Sequence, residues 1–596
     1  MDARAAGADL PAWDLSDLYA VPDDPKIAAD LAAAAAEVAT LKTYEGAFEA
    51  ARADAARLGG LIDQSVALYQ TIADRLGAVG AFAALKAQTA LADPEIGKFQ
   101  ADVSLKIQTI ALDTLFITLE LNRLEDVEIE AALTAVPSAK RWTPWLRRVR
   151  LNRPHELDAE LERFMAERTA AVMQWTRLYD ETFARLEVQA GRETLTFNAA
   201  LARLSHADAK KRKAAAEGAA VAMAQVAQQT ALVLNTLALE KQVEDRWRRF
   251  ADPAASRHLA NEIHAESVAA MTNAVVEAYP RLSHRYYALK AKGMGKATLD
   301  YWDRNAPIEK TAPGAYDWSR AKAIVLSSFG DLGPEFAARA ETFFDRPWID
   351  AKPTPGKNPG AFCHPVTADR HPYVLLNFRG ERRDVLTLAH ELGHAVHQTL
   401  AQPLGTLLAD TPLTLAETAS IFAEGLTFER LLAEAKPREQ RGLLAGRIED
   451  GLNTVVRQIA FHRFELAFHA ARAEGEVSAE QISALWMQTA AESLGPAITL
   501  NPGYEVWWGA VSHFVHSPFY VYAYAFGDLL VSALMERRRE DPAGFTARYE
   551  ALLAAGGSRT YVEALGPFGL DPLQPAFWRM GLNRLEGLID RFEALV

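Results

Sequence analysis

Two histidines four residues apart stand in the run His390-Glu391-Leu392-Gly393-His394. On an α-helix that spacing places both imidazoles on one face, one turn apart. Two neutral imidazoles so placed can hold one Zn²⁺ at about 2.0–2.1 Å each. Glu391, next to the first histidine, can point at a water beside the ion without being a ligand, the general-base position of zinc-dependent proteases. Catalytic zinc keeps three protein ligands and one open position, so a third ligand has to come from elsewhere.

Downstream lies Ala416-Glu417-Thr418-Ala419-Ser420-Ile421-Phe422-Ala423-Glu424, where Glu417, Ser420 and Glu424 share one helical face. A second helix packed on the first offers Glu417 as the third ligand. Glu424, two turns further on, can accept a hydrogen bond from a ligating histidine and orient it. A solvated surface is the ordinary place for glutamates, but Ile421, Phe422 and Leu426 argue for burial here. His397 is a rival third ligand, although three histidines of one helix converge only if it bends. Zinc suits a His₂Glu set, and cobalt or manganese fits the same ligands.

The elements that must position these groups are mostly helical. Val385, Leu388, Ala389, Leu392, Ala395 and Val396 surround the histidines, so the metal helix belongs in a core, where unpaired polar groups are costly. Gly393 costs about 1 kcal/mol against alanine in a helix interior, and admits the close approach of another backbone or of substrate. Lys26 to Leu124 carries apolar residues at helical spacing, with breaks expected at Gly59-Gly60 and Asp93-Pro94. Helices are expected over His155 to Leu186, Asp208 to Arg249 and Tyr316 to Phe344, and a strand over Glu193 to Phe197. Met1 to Pro25 reads as a mobile arm anchored at Trp13-Asp14-Leu15. Short strand-like runs near 361–378 predict a small sheet just before the metal helix. Its edge either pairs with an extended peptide through backbone hydrogen bonds or only packs the helix.

Composition narrows the class. A net charge of −13 argues against a nucleic-acid or anionic-membrane surface. A single cysteine, Cys363, allows no disulfide framework and fits a reducing compartment. No basic segment followed by an apolar run opens the chain, and no run of eighteen apolar residues exists, so the expected location is the cytoplasm.

Residues 507–527, WWGAVSHFVHSPFYVYAYAFG, are rich in aromatic and histidine side chains. They read either as an aromatic core segment or as donors that stabilise a developing oxyanion.

The succession HPYVLLNF, DVLTLAHELGHAVH, LAETASIFAEG, then HF and PFYVYAYAFG, with WDLSDLY near the start, resembles the oligoendopeptidase F family, relatives of thimet oligopeptidase. The match is strong from Pro353 to Gly527 and loose before it. The resemblance implies a mainly helical fold enclosing a deep substrate channel, with a helical domain over 1–200 and a catalytic domain over 201–596. It implies one zinc ion per chain on His390, His394 and Glu417, with Glu391 as base and short unstructured peptides as substrates. It assigns His513 and Tyr522 to the substrate or its oxyanion, and Tyr373, Tyr520, Tyr524 and His516 are expected as further substrate contacts. It lets the Pro353–Gly360 loop close over the substrate. The activity so implied is hydrolysis of internal peptide bonds. A zinc carboxypeptidase, or a catalytically silent peptide-binding protein on the same scaffold, are the other readings, and the intact Glu391 argues against the silent one. Oligomeric state is not legible.

Overall fold

Helices dominate because alanine and leucine recur at helical spacing and the breaks between them supply caps. The computed structural model describes residues 10–309 and 316–596. Asp24 caps Pro25–Leu41, Asp93 caps Pro94–Leu112, and Asp208 caps Ala209–Arg248. Each such cap is worth about 1 kcal/mol. The Asp93-Pro94 break is therefore where the sequence puts it. Gly59-Gly60 is not a break: Ala55–Gln88 runs through both as one helix. A Cβ on Gly59 would lie 2.4 Å from the Ala132 carbonyl oxygen, so this glycine serves a close helix crossing.

The described chain divides into two compact units, each assembled from three segments: Met1–Arg153, Pro313–Leu431 and Asp541–Gly569 in the first, and Pro154–Ala312, Leu432–Glu540 and Leu570–Val596 in the second. This runs differently from the contiguous domains 1–200 and 201–596. Helical periodicity is local and carries no record of which segments return to the same core.

The first unit contains a three-stranded sheet in which Tyr373–Leu375 is central. It pairs in parallel with Ile349–Asp350 and antiparallel with Phe362–His364, which forms an edge. The sheet thus lies where expected in sequence, ahead of the metal helix Arg382–Ala401. The N-terminal arm is not mobile over residues 10–24, while its first nine residues lie outside those described. Leu15, Leu18 and Tyr19 are buried, Asp14 N–H donates to the Pro347 carbonyl, and Ala351 N–H donates to that of Pro11. The Pro353–Gly360 loop is also fastened. The Lys357 ammonium, almost wholly buried, donates to the Asp350 carboxylate at 2.5 Å and to three backbone carbonyls, and Asn358 N–H donates to Gln88. Moving this loop would strand a buried cation, which argues against its being a lid.

The second unit is built on the 40-residue helix Ala209–Arg248. A hairpin of Glu187–Ala190 and Glu193–Thr196 packs against it. Five residues of π-helix, Leu452–Val456, precede the helix Arg457–Glu474. Among the described residues no helix is long and apolar enough to cross a membrane.

Candidate metal centre

The metal helix starts at a capping box in which the Asp384 carboxylate accepts the Glu381 and Arg379 N–H groups. Val385, Leu388, Ala389, Leu392, Ala395 and Val396 are at most 1% exposed, so this helix is locked in rotation. His390 and His394 then project from its half-open face, their rings 5.0 Å apart.

Glu417 reaches them from a break in the chain. It is the turn residue between Leu413–Ala416 and Thr418–Glu434, rather than a residue inside one helix. The Tyr549 hydroxyl donates to the Thr418 carbonyl at 3.1 Å and holds the break. Glu417 Oε2 stands 3.4 Å from Nε2 of both His390 and His394, and the Ser420 hydroxyl donates to the same oxygen at 2.7 Å. A tetrahedral ion at about 2.0–2.1 Å from each ligand would space neighbouring ligands by roughly 3.3–3.4 Å. The three side chains, the one such cluster among the described residues, therefore fit zinc. His397 is not in the cluster. Burial, with the His394 charge second, pushes its pKa down to about 4, and it lies beside the Thr411 hydroxyl.

The surrounding charges suit the same purpose. Burial acts to raise the Glu417 carboxyl, but its hydrogen bond and charge interaction with His394, and then His390, win and bring it to about 2. Burial raises the neighbouring Glu391 above the ordinary carboxylate range, and the two histidines only partly offset it. The Cys363 backbone N–H faces the Glu391 carboxylate, which puts the sheet's edge strand beside Glu391. Burial opposes a charge on His390, yet Glu424, Glu391 and Glu417 outweigh it and its pKa rises. Glu424 Oε2 lies 3.3 Å from His390 Nδ1, leaving Nε2 directed at Glu417.

The candidate substrate contacts separate by burial. Tyr373 is 0% exposed and its hydroxyl donates to Asp17, so it has no surface to offer a peptide. In the second unit Tyr522 is also wholly buried, its hydroxyl 2.9 Å from both His258 Nδ1 and Asn261 Nδ2. Tyr522 is thus committed to the core. Tyr524, 40% exposed, has its hydroxyl 3.1 Å from His513 Nε2, and the Tyr520 ring stacks on His513 at 6.1 Å. His516 pairs with Asp180 at 2.8 Å. Burial, then the His516 charge, lowers the His513 pKa. Residue spacing alone missed Glu465, whose carboxylate accepts the Phe519 N–H at 2.7 Å while Phe519 holds a left-handed φ of 59°. Pro518 just before it is the one local signal of a turn there.

The family model described as Peptidase family M3 matches residues 203–584, and one described as Oligopeptidase F matches residues 120–187. The chain is 29% identical over 355 residues to an oligoendopeptidase F homolog of Lactococcus lactis, an alignment spanning 58% of each protein. It is 26% identical over 558 residues to the group B oligopeptidase PepB of Streptococcus agalactiae, covering 90% of this chain and 92% of that one. The fold is similar to that of oligoendopeptidase-F from Enterococcus faecium, with a TM-score of 0.71 at 20% identity over 96% of this chain and 99% of that one.

Proposed function

Because the chain belongs to peptidase family M3, we propose that it is a zinc-dependent endopeptidase hydrolysing internal bonds of short, unstructured peptides. The observation that carries this reading is the meeting of His390, His394 and Glu417 with Glu391 alongside. A zinc ion held there would polarise the scissile carbonyl and lower the pKa of a water towards about 7. Glu391 takes a proton from the attacking water and delivers it to the leaving amine as the C–N bond breaks. Burial makes its carboxylate readier to take a proton than an exposed glutamate would be. Glu424 keeps the His390 tautomer that leaves Nε2 free to ligate. The edge of Phe362–His364 is the place for an extended peptide backbone to pair, which recognises a strand without reading its side chains. Within the second unit we assign the candidate hydrogen-bond donors to a peptide to His513 and the exposed Tyr524, in place of the buried Tyr522.

The experiment is digestion of a peptide mixture followed by mass spectrometry, with and without chelator and with zinc restored. Internal cuts that stop with chelator and return with zinc are the expected result. Cuts confined to the C-terminal residue, or cuts indifferent to chelator, would overturn the reading.

A further inference from the structure

A second polar site lies wholly inside the second unit and has nothing to do with the metal. A cavity of about 20 Å³ is lined by Arg304, Arg457, Tyr287, Tyr504, Asn453 and Thr489, among others. Two arginines on one small cavity are an arrangement that proteins ordinarily neutralise, because each guanidinium is part buried and repels the other.

Among the described residues no carboxylate neutralises either cation. Nε of Arg304 and Nε of Arg457 are both sealed from solvent and have no hydrogen-bond partner. Among the described residues neither guanidinium forms an ion pair. The Arg457 guanidinium carbon stands 4.9 Å from the centre of the Phe461 ring, a cation–π contact. The carboxylates nearby are spent on other cations. Asp303, next in sequence to Arg304, is held by Arg212 at 2.6 and 3.0 Å and by Lys296. Glu449 is held by Lys290 at 2.6 Å and by the Tyr286 hydroxyl at 2.6 Å. Burial first, then repulsion from Arg304, pulls the Arg457 pKa down to about 10, so it stays charged at neutral pH.

The backbone is shaped for the same place. Arg457 is the first residue after the π-helix Leu452–Val456, and Leu452, Asn453 and Val456 of that bulge line the cavity. A π-turn widens the helix by one residue and is concentrated at functional sites. The volume is enough for one or two water-sized particles, which need about 10–15 Å³ each.

We infer that this cavity is a site for one monovalent anion of halide size, held by Arg304 and Arg457 and stabilising the second unit. The ion supplies the negative charge that Asp303 and Glu449 do not provide.

The test uses the full-length, zinc-loaded protein and two readouts. The first is bromide anomalous scattering from crystals grown in sodium bromide. The second is the unfolding temperature in sodium chloride against sodium gluconate at equal ionic strength, for the native chain and for Arg457→Gln. The expected results are an anomalous peak between the two guanidinium groups, and a saturable rise in Tm of a few degrees with chloride that gluconate does not reproduce. Arg457→Gln should lose that chloride dependence. Should the variant fail to fold, the scattering and the native salt series still decide. No bromide peak, or a peak without chloride-specific stabilisation, overturns the inference, as does a Tm that follows ionic strength alike in both salts.

Discussion

Gly393 and Ala419 are in backbone contact: a Cβ built on Gly393 would lie 2.6 Å from the Ala419 carbonyl oxygen and 2.6 Å from the Ser420 Cα. The missing side chain lets the histidine helix sit against the chain that carries Glu417, two residues from that crossing. Ligand convergence therefore depends on a residue with no ligating atom.

Gly393→Ala sets two effects against each other. Helix propensity favours alanine by about 1 kcal/mol, whereas overpacking a backbone crossing costs about 1–3 kcal/mol. The obstacle is the main chain of Ala419 and Ser420, which cannot rotate away as a side chain could, so the clash outweighs the propensity. The variant should be less stable by up to about 2 kcal/mol and bind zinc about tenfold more weakly in a chelator competition. A gain in stability with unchanged zinc affinity would contradict this account.

Glu391→Gln removes the base and leaves every ligand in place. Zinc content by elemental analysis should stay at one per chain, while kcat falls by about 10²–10⁴. Turnover that persists in the zinc-loaded variant would show that another group accepts the proton.

Tyr522→Phe and Tyr524→Phe should behave oppositely. Losing the Tyr522 hydroxyl leaves His258 and Asn261 without a buried partner, at a cost of about 1–3 kcal/mol, with kcat little changed. Losing the exposed Tyr524 hydroxyl should lower kcat by about tenfold or more and leave the unfolding temperature alone. The reverse pattern would return the donor role to Tyr522.

Glu465 gives a pH prediction. Burial raises its carboxyl to about 8, and the Phe519 N–H only partly offsets this. The folded chain keeps a proton that the unfolded chain releases in the ordinary carboxylate range. Stability from this group is thus present at low pH and is lost as pH rises from that range through about 8. Glu465→Gln, which still accepts from Phe519, should be stabilised relative to the native chain at pH 9 more than at pH 5 by urea unfolding. Parallel pH curves for the two proteins would rule out a protonated Glu465.

Much of the site was legible in one dimension because its chemistry is local. A helix turns every 3.6 residues, so the His390–His394 spacing and the apolar residues around it already specify a buried helix with two imidazoles on one face. Asp24, Asp93 and Asp208 likewise announce their helix starts, because a cap acts within its own first turn. Glu417 and Glu424 were legible as candidates for the same reason, though the chain break at Glu417 was not. Sequence periodicity also could not tell a glycine that breaks a helix from one that lets another helix approach. Gly59 and Gly393 are both of the second kind.

What depended on tertiary structure was everything set by distant partners. Tyr520, Tyr522 and Tyr524 alternate in sequence, yet one of them is sealed in the core because His258 and Asn261, more than 250 residues away, come to its hydroxyl. The N-terminal segment looked loose because its partners, Pro347, Ala351 and Tyr373, lie more than 300 residues on. The paired Arg304 and Arg457 were invisible for the same reason. Sequence determined which residues could bind metal and move protons, since residue type and helical spacing are short-range properties. Burial, pairing and the backbone contact at Gly393 were decided only when remote segments packed together, because desolvation and contact belong to the assembled core.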